Sequence, residues 1–320
     1  MYFSTANGMA NAEGQAMTGF RKVEMVEVGP RDGLQNEAAV VATADKAELV
    51  RRALAYGVRR IEVTSFVNPK KVPQLADAEE LVALLPDRDD VTYIGLVLNR
   101  RGAERALATG RIDELGAVCV TSDTFGIRNQ GQSSAESLAA AAKIVGLAKA
   151  AGRGGQITIA TAFGCPFEGE IAAARVVEMA KRAADAAPRE VALADTIGVG
   201  VPAQVAELVG RVREAIAPLP VRVHFHNTRG SGLANVWAAV GEGAASVDAA
   251  LGGLGGCPFA PGAAGNVATE DVAYMLERSG VATGLALPGA VEAAGWFTGV
   301  MGRPLPAMVS KAPAFPPPAA

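Results

Sequence analysis

Short runs of β-branched and apolar residues alternate along the chain with longer stretches rich in Ala, Leu, Glu, Lys and Arg. The first pattern suits strands buried on both faces, and the second suits helices that pack one face on a sheet. Strands are predicted over residues 23–28, 60–64, 91–97, 117–121, 156–162, 190–194, 221–226 and 246–250. Helices are predicted over 43–56, 73–85, 102–109, 135–151, 170–186, 202–216 and 231–243. Eight strands in this alternation predict a single-domain α/β fold, the (β/α)8 TIM barrel, whose closed sheet leaves no exposed edge. A doubly wound open sheet is the alternative, but no Gly-x-Gly-x-x-Gly follows the first strand, so dinucleotide binding has no support. The barrel is expected over residues 21–302. A polar, flexible leader over 1–20 precedes it, and a tail over 303–320 follows, whose Pro316-Pro317-Pro318 cannot sustain helix or sheet.

With 320 residues, half of them hydrophobic, the chain has ample material for one such core. A formal net charge of −3 argues against a nucleic-acid surface. No apolar run approaches the roughly 20 residues of a membrane span. The first residues show no charged segment followed by an apolar one, so no secretory signal is read and a cytoplasmic location is expected. Cys119, Cys165 and Cys257, without any CxxC pair, fit reduced thiols better than a disulfide scaffold or a structural zinc site.

In a TIM barrel, chemistry gathers at the C-terminal ends of the strands. There stand the only two histidines, His224 and His226, two apart in Val-His-Phe-His-Asn-Thr, so both imidazoles share one face of an extended strand. The pair could simply cap the strand, or could form half of a metal shell. Company favours the metal. The turn Arg31-Asp32-Gly33 follows strand one, Glu62 lies on strand two, and Asn266 lies in the segment after strand eight. Strands one, two, seven and eight are neighbours around a closed barrel, so these groups converge on one sector of one mouth. Asp32, His224, His226 and Asn266 offer a mixed oxygen and nitrogen set suited to Mg²⁺ or Mn²⁺. Arg31 can stabilise an oxyanion or form a salt bridge, and Glu62, an acid in an apolar strand, needs a partner such as Arg31. Asn99 after strand three, Asp195 after strand six and Arg229 after strand seven are candidate substrate contacts at the same mouth.

The segment from Gly252 to Asn266 holds six glycines in fifteen residues around Cys257. A glycine-rich segment with one ionisable thiol reads as a lid that brings an acid/base group to the site. Gly-Cys-Pro-Phe recurs at 164–167, where fewer glycines accompany it and Cys165 reads as structural; Cys119, inside a strand, reads as core.

Glu27-Val-Gly-Pro-Arg-Asp-Gly-Leu-Gln-Asn-Glu37, Ile61-Glu-Val-Thr-Ser-Phe66, Ala194-Asp-Thr-Ile-Gly-Val-Gly200 and Gly252-Gly-Leu-Gly-Gly-Cys-Pro-Phe259 resemble the signatures of the 3-hydroxy-3-methylglutaryl-CoA (HMG-CoA) lyase family. The resemblance spans roughly residues 22–302. It implies a TIM barrel, one bound Mg²⁺ or Mn²⁺, an acyl-CoA substrate and retro-Claisen cleavage to a ketone and acetyl-CoA. A homo-oligomer is also a possible assembly. By position it makes Asp32, His224, His226 and Asn266 metal ligands, Arg31 the stabiliser of the acetyl-CoA enolate, Glu62 its support and Cys257 the lid acid/base. Asn227 and Arg229 stand where the family has Asp and an aromatic residue, Leu98-Asn99 where it has Pro-Asn, and the loop from Ser122 to Gln130 lacks its lysine pair. These departures raise a larger or more polar acyl group as an alternative substrate. A condensing enzyme of the isopropylmalate or citramalate synthase type is a further alternative, although Val-Gly-Pro precedes Arg-Asp-Gly here and little chain remains after residue 302.

Overall fold

The computed structural model describes residues 22–256 and 265–317. Eight parallel strands close into a barrel in sequence order. They are β1 (Glu24–Glu27), β2 (Arg60–Ser65), β3 (Thr92–Val97), β4 (Glu114–Val120), β5 (Gly154–Ala160), β6 (Val191–Asp195), β7 (Val221–Phe225) and β8 (Ser246–Ala249). Closure is made by β1 on β8, with Glu24 opposite Ser246 and Glu27 opposite Ala249. The helices α1 (Thr43–Ala55), α2 (Ala78–Ala83), α3 (Arg100–Ala108), α4 (Asp123–Gln130), α5 (Ser134–Ala150), α6 (Ala173–Ala184), α7 (Pro202–Ile216), α8 (Gly232–Gly241), α9 (Thr269–Arg278) and α10 (Leu287–Met301) follow the strands. None of the described helices is long and apolar enough to cross a membrane.

Helix α7 illustrates why the pattern was readable. Val205, Leu208, Val209, Val212 and Ile216 repeat at helical spacing and are the buried face. Helix α5 starts at a reciprocal capping box between Ser133 and Glu136. The stretch predicted as one helix over 73–85 is a 3-10 turn at Pro73–Leu75 followed by α2. Its polar side chains serve tertiary contacts: Asp77 accepts from Thr43 and buried Lys46, and Gln74 donates to the Ala39 carbonyl. Helices α4, α9 and α10 were not anticipated. The chain also packs beyond residue 302: Leu305 and Ala307 are buried, and the Asp271 carboxylate accepts from the backbone of Met308 and Val309.

The apolar core lies between the sheet and the helices, but the barrel interior is ionic. Arg60 on β2 pairs with Glu190, next to β6 on the opposite wall, at 2.7 Å, and with Glu114 on β4. Those partners can meet only across the interior. This explains why β4 begins at Glu114, three residues before its apolar pattern: the acid is buried against a guanidinium, not solvated.

Candidate active site

The site starts from the turn after β1, where Gly29–Gly33 forms a single π-helical turn with Pro30 near its start. The buried Glu27 carboxylate holds this turn. It accepts from the backbone of Gly29 (2.7 Å) and Leu251 (2.9 Å) and from the hydroxyls of Tyr56 (2.8 Å) and Thr269 (2.7 Å). A Cβ on Gly29 would stand 2.6 Å from Glu27 Oε1, so only glycine lets the chain double back here. Burial raises the Glu27 carboxyl above its ordinary range in spite of those four donors.

The turn presents Arg31 and Asp32 to the barrel mouth. Arg31 Nε and a terminal nitrogen donate to the two Glu62 oxygens at 2.7 and 3.2 Å, and the other terminal nitrogen donates to Asp32 Oδ1. Burial alone would lower the Arg31 guanidinium, but Glu62 and Asp32 outweigh it and raise it, so the cation is held as well as oriented. Burial would likewise raise Asp32. The charge of Arg31 and the hydrogen bond from His226 reverse that and keep its carboxyl well below the ordinary range.

Strand β7 delivers the imidazoles. His224 Nε2 and His226 Nε2 lie 3.9 and 3.5 Å from Asp32 Oδ2, and ligand atoms of the three residues all fall within 4.8 Å of one another. Asn266 joins them, its Nδ2 donating to Asp32 Oδ2 at 2.9 Å and to the Leu254 carbonyl at 3.1 Å. Its Oδ1 is buried with no hydrogen-bond partner among the described residues. A buried carbonyl oxygen is seldom left so. One carboxylate, two imidazoles and this amide oxygen fit a divalent cation of the Mg²⁺ or Mn²⁺ kind. Arg31, Asp32, His224 and His226 line a cavity of about 600 Å³, together with Gln35 and Thr196 and with Lys71, Arg128 and Asn129, which are exposed.

Two site residues escaped the sequence analysis. Asp248 on β8 faces His224, with Oδ2 3.0 Å from Nδ1, and its Oδ1 accepts from Arg222 Nε. Burial would raise Asp248, but Arg222 and His224 hold it below the ordinary range. The available signal was a single acid and a single arginine, each inside an otherwise apolar strand. Unpredicted α4 is the third addition, since it carries Arg128, Asn129 and Gln130 to the cavity.

The three candidate substrate contacts each have a backbone partner. Asp195 is fully buried, and its oxygens accept from Val199 N (2.9 Å) and Gly200 N (2.8 Å), so it clamps its own loop. Asn99 caps α3 by accepting from Gly102 N at 3.0 Å. Arg229 donates to the carbonyls of Ile197 and Gly198 at 3.0 and 2.9 Å. None of the three lines the cavity. Cys257 lies outside the described residues, whereas Cys119 and Cys165 are buried.

The sequence profile of the HMGL-like family matches residues 22–295. The (R)-citramalyl-CoA lyase of Chloroflexus aurantiacus is 42% identical over 305 residues, which cover 92% of this chain and 96% of that protein. The hydroxymethylglutaryl-CoA lyase of Bacillus subtilis is 39% identical over 286 residues, 89% of this chain and 95% of that protein. An HMG-CoA lyase from Acinetobacter baumannii, solved in complex with coenzyme A and 3-methylmalate, superposes with a TM-score of 0.88 at 39% identity. That alignment covers 94% of this chain and 98% of the other. Profile, sequence and fold agree over nearly the whole described barrel: the chain belongs to the HMGL-like family and, with the citramalyl-CoA and hydroxymethylglutaryl-CoA lyases it resembles, is a carbon–carbon lyase.

Proposed function

We propose that this lyase carries out divalent-metal-dependent retro-Claisen cleavage of a 3-hydroxy-3-methyl acyl-CoA bearing a carboxylate, either HMG-CoA or citramalyl-CoA. The observation that carries the reading is Arg31 itself, pinned to Glu62 on one side and to Asp32 of the His224–His226–Asn266 cluster on the other. In the reaction the 3-hydroxyl loses its proton and the C2–C3 bond breaks. The C3–O bond becomes the ketone carbonyl, and the electron pair moves onto the thioester as an enolate. Protonation at C2 then gives acetyl-CoA. Asp32, His224, His226 and Asn266 would hold a Mg²⁺ or Mn²⁺, whose chemistry when bound is Lewis-acid polarisation of the substrate's oxygens. The Arg31 guanidinium is permanently charged and cannot swing away, so it offers a fixed positive site for the enolate oxygen. Cys257 is the candidate for moving the proton. Lys71 and Arg128 at the cavity suit the polyanionic CoA.

The departures at Asn227 and Arg229 do not argue for a different acyl group. Asn227 accepts from Gly232 N, one terminal nitrogen of Arg229 donates to loop carbonyls, and neither residue lines the cavity. The acyl chain is decided by product analysis. Purified protein with Mn²⁺ is given HMG-CoA, (R)-citramalyl-CoA and a larger 3-hydroxyacyl-CoA, and acetyl-CoA is measured alongside acetoacetate or pyruvate. Expected is EDTA-sensitive cleavage of HMG-CoA or citramalyl-CoA that falls at least tenfold in Cys257→Ser. A folded, Mn²⁺-loaded protein that forms no ketone from either would refute the proposal.

A further inference from the structure

The guanidinium of Arg222 is 1% exposed in the barrel interior and touches three carboxylates. Nε donates to Asp248 Oδ1, one terminal nitrogen lies 3.5 Å from Glu190 Oε1, and the other lies 3.8 Å from Glu62 Oε2. Two of those acids lead directly into the site. Asp248 reaches His224 Nδ1 through its second oxygen at 3.0 Å. Glu62 holds Arg31 by two bonds. The third acid, Glu190, passes the charge on to Arg60 at 2.7 Å, and Arg60 ends on Glu114 and Glu24. Each buried acid of this column therefore stands between two cationic or donor groups.

From this arrangement we infer that Arg222 is a positioning residue that sets two parts of the site at once: the tautomer of His224 through Asp248, and the orientation of Arg31 through Glu62. The inference rests on the metal reading above. Asp248, with Oδ1 occupied by Arg222 Nε, keeps Oδ2 for His224 and can only accept. The proton of neutral His224 is thus placed on Nδ1, and the lone pair is left on Nε2, the nitrogen turned toward Asp32. A free neutral imidazole favours the opposite tautomer, so the arrangement does not arise by default. A purely space-filling role would not need a charge. The interiors of these barrels are ordinarily packed with branched aliphatic side chains, and an apolar residue of similar volume avoids the desolvation of a buried cation. Arg222 also reaches both halves of the site from one strand, two residues before His224 on the same face of β7.

The test reads the tautomer and the metal directly. With only two histidines in the chain, selectively ¹⁵N-labelled protein gives two assignable imidazoles, and their nitrogen shifts distinguish Nδ1–H from Nε2–H. Spectra are taken above the histidine titration range, and Mn²⁺ affinity is measured by calorimetry. Wild type is expected to show His224 as Nδ1–H. Asp248→Asn keeps one acceptor for two donors, and Arg222→Met removes the donor that orients the carboxylate. Each is expected to shift His224 toward Nε2–H and to weaken Mn²⁺ about 10- to 100-fold. Arg222→Lys, whose single ammonium cannot span Asp248 and Glu62 together, is expected to recover most of the Mn²⁺ affinity while kcat stays at least tenfold down. Circular dichroism confirms that each variant is folded. If Arg222→Met does not fold, the wild-type tautomer, Asp248→Asn and Arg222→Lys decide. Wild-type His224 found as Nε2–H, or Mn²⁺ affinity unchanged in folded Asp248→Asn, would overturn the inference. A wild type that binds Mn²⁺ with the expected tautomer yet cleaves neither acyl-CoA would sink the function reading alone. No Mn²⁺ binding by wild type would sink both.

Discussion

Glu270, at the start of α9, is fully buried behind the turn that opens the Gly252–Asn266 segment, and it offers the sharpest quantitative prediction. Its Oε2 accepts from Gly252 N at 2.9 Å, while Oε1 has no hydrogen-bond partner among the described residues. Burial, aided by the nearby acids Asp271 and Glu27, pushes its carboxyl up from an ordinary 4.5 to about 7. The folded state therefore keeps this proton while the unfolded chain releases it. Stability contributed by the protonated form is full below pH 4.5 and is lost as pH rises through about 7. The difference between 4.5 and about 7 is worth roughly 3 kcal/mol. The variant Glu270→Gln keeps the acceptor for Gly252 and replaces a neutral acid by a neutral amide of nearly the same shape. It should exceed wild type by about 1 kcal/mol near pH 5 and by about 3 kcal/mol at pH 8, the latter about 5 °C in Tm for a chain this long. Urea unfolding of both proteins from pH 5 to 8 measures this. Neighbouring Glu27 is raised in the same sense, so the difference between the proteins, not the wild-type slope, isolates Glu270. Parallel pH profiles for the two would show that Glu270 ionises normally and that the reasoning from burial is wrong.

Arg31→Lys keeps the charge but loses the fork that grips both Glu62 oxygens, so kcat should fall about 100-fold or more with a much smaller change in KM. Steady-state kinetics giving a loss under tenfold would remove Arg31 from charge stabilisation. Asp195→Asn leaves one of two backbone N–H groups, on Val199 or Gly200, without an acceptor and should cost about 1–3 kcal/mol in urea unfolding while leaving Mn²⁺ affinity unchanged. Undiminished stability with lost activity would return Asp195 to substrate contact.

The alternation of elements and the place of the barrel mouth are legible along the chain alone. Strands buried on both faces and helices with one apolar face are local periodicities, and helix α7 was read at its observed limits, 202–216. Eight repeats then imply closure, and closure alone places Arg31, Asp32, Glu62, His224, His226 and Asn266 together, since residues ending neighbouring strands must meet. The tertiary structure decided what each polar side chain faces. Asp195, Asn99 and Arg229 stand where the topology allows a substrate contact, and the structure gives each a nearby backbone partner, which no pattern along the chain records. Helix α4 has a weak amphipathic pattern, and its Gly126 fits against the Gln132 carbonyl, where a Cβ would come within 2.3 Å. Arg60, Arg222, Glu114, Glu190 and Asp248 read as isolated charges in strands. They are tolerated only because partners from three or more strands reach across a closed interior, where an unpaired charge would be prohibitively costly to desolvate.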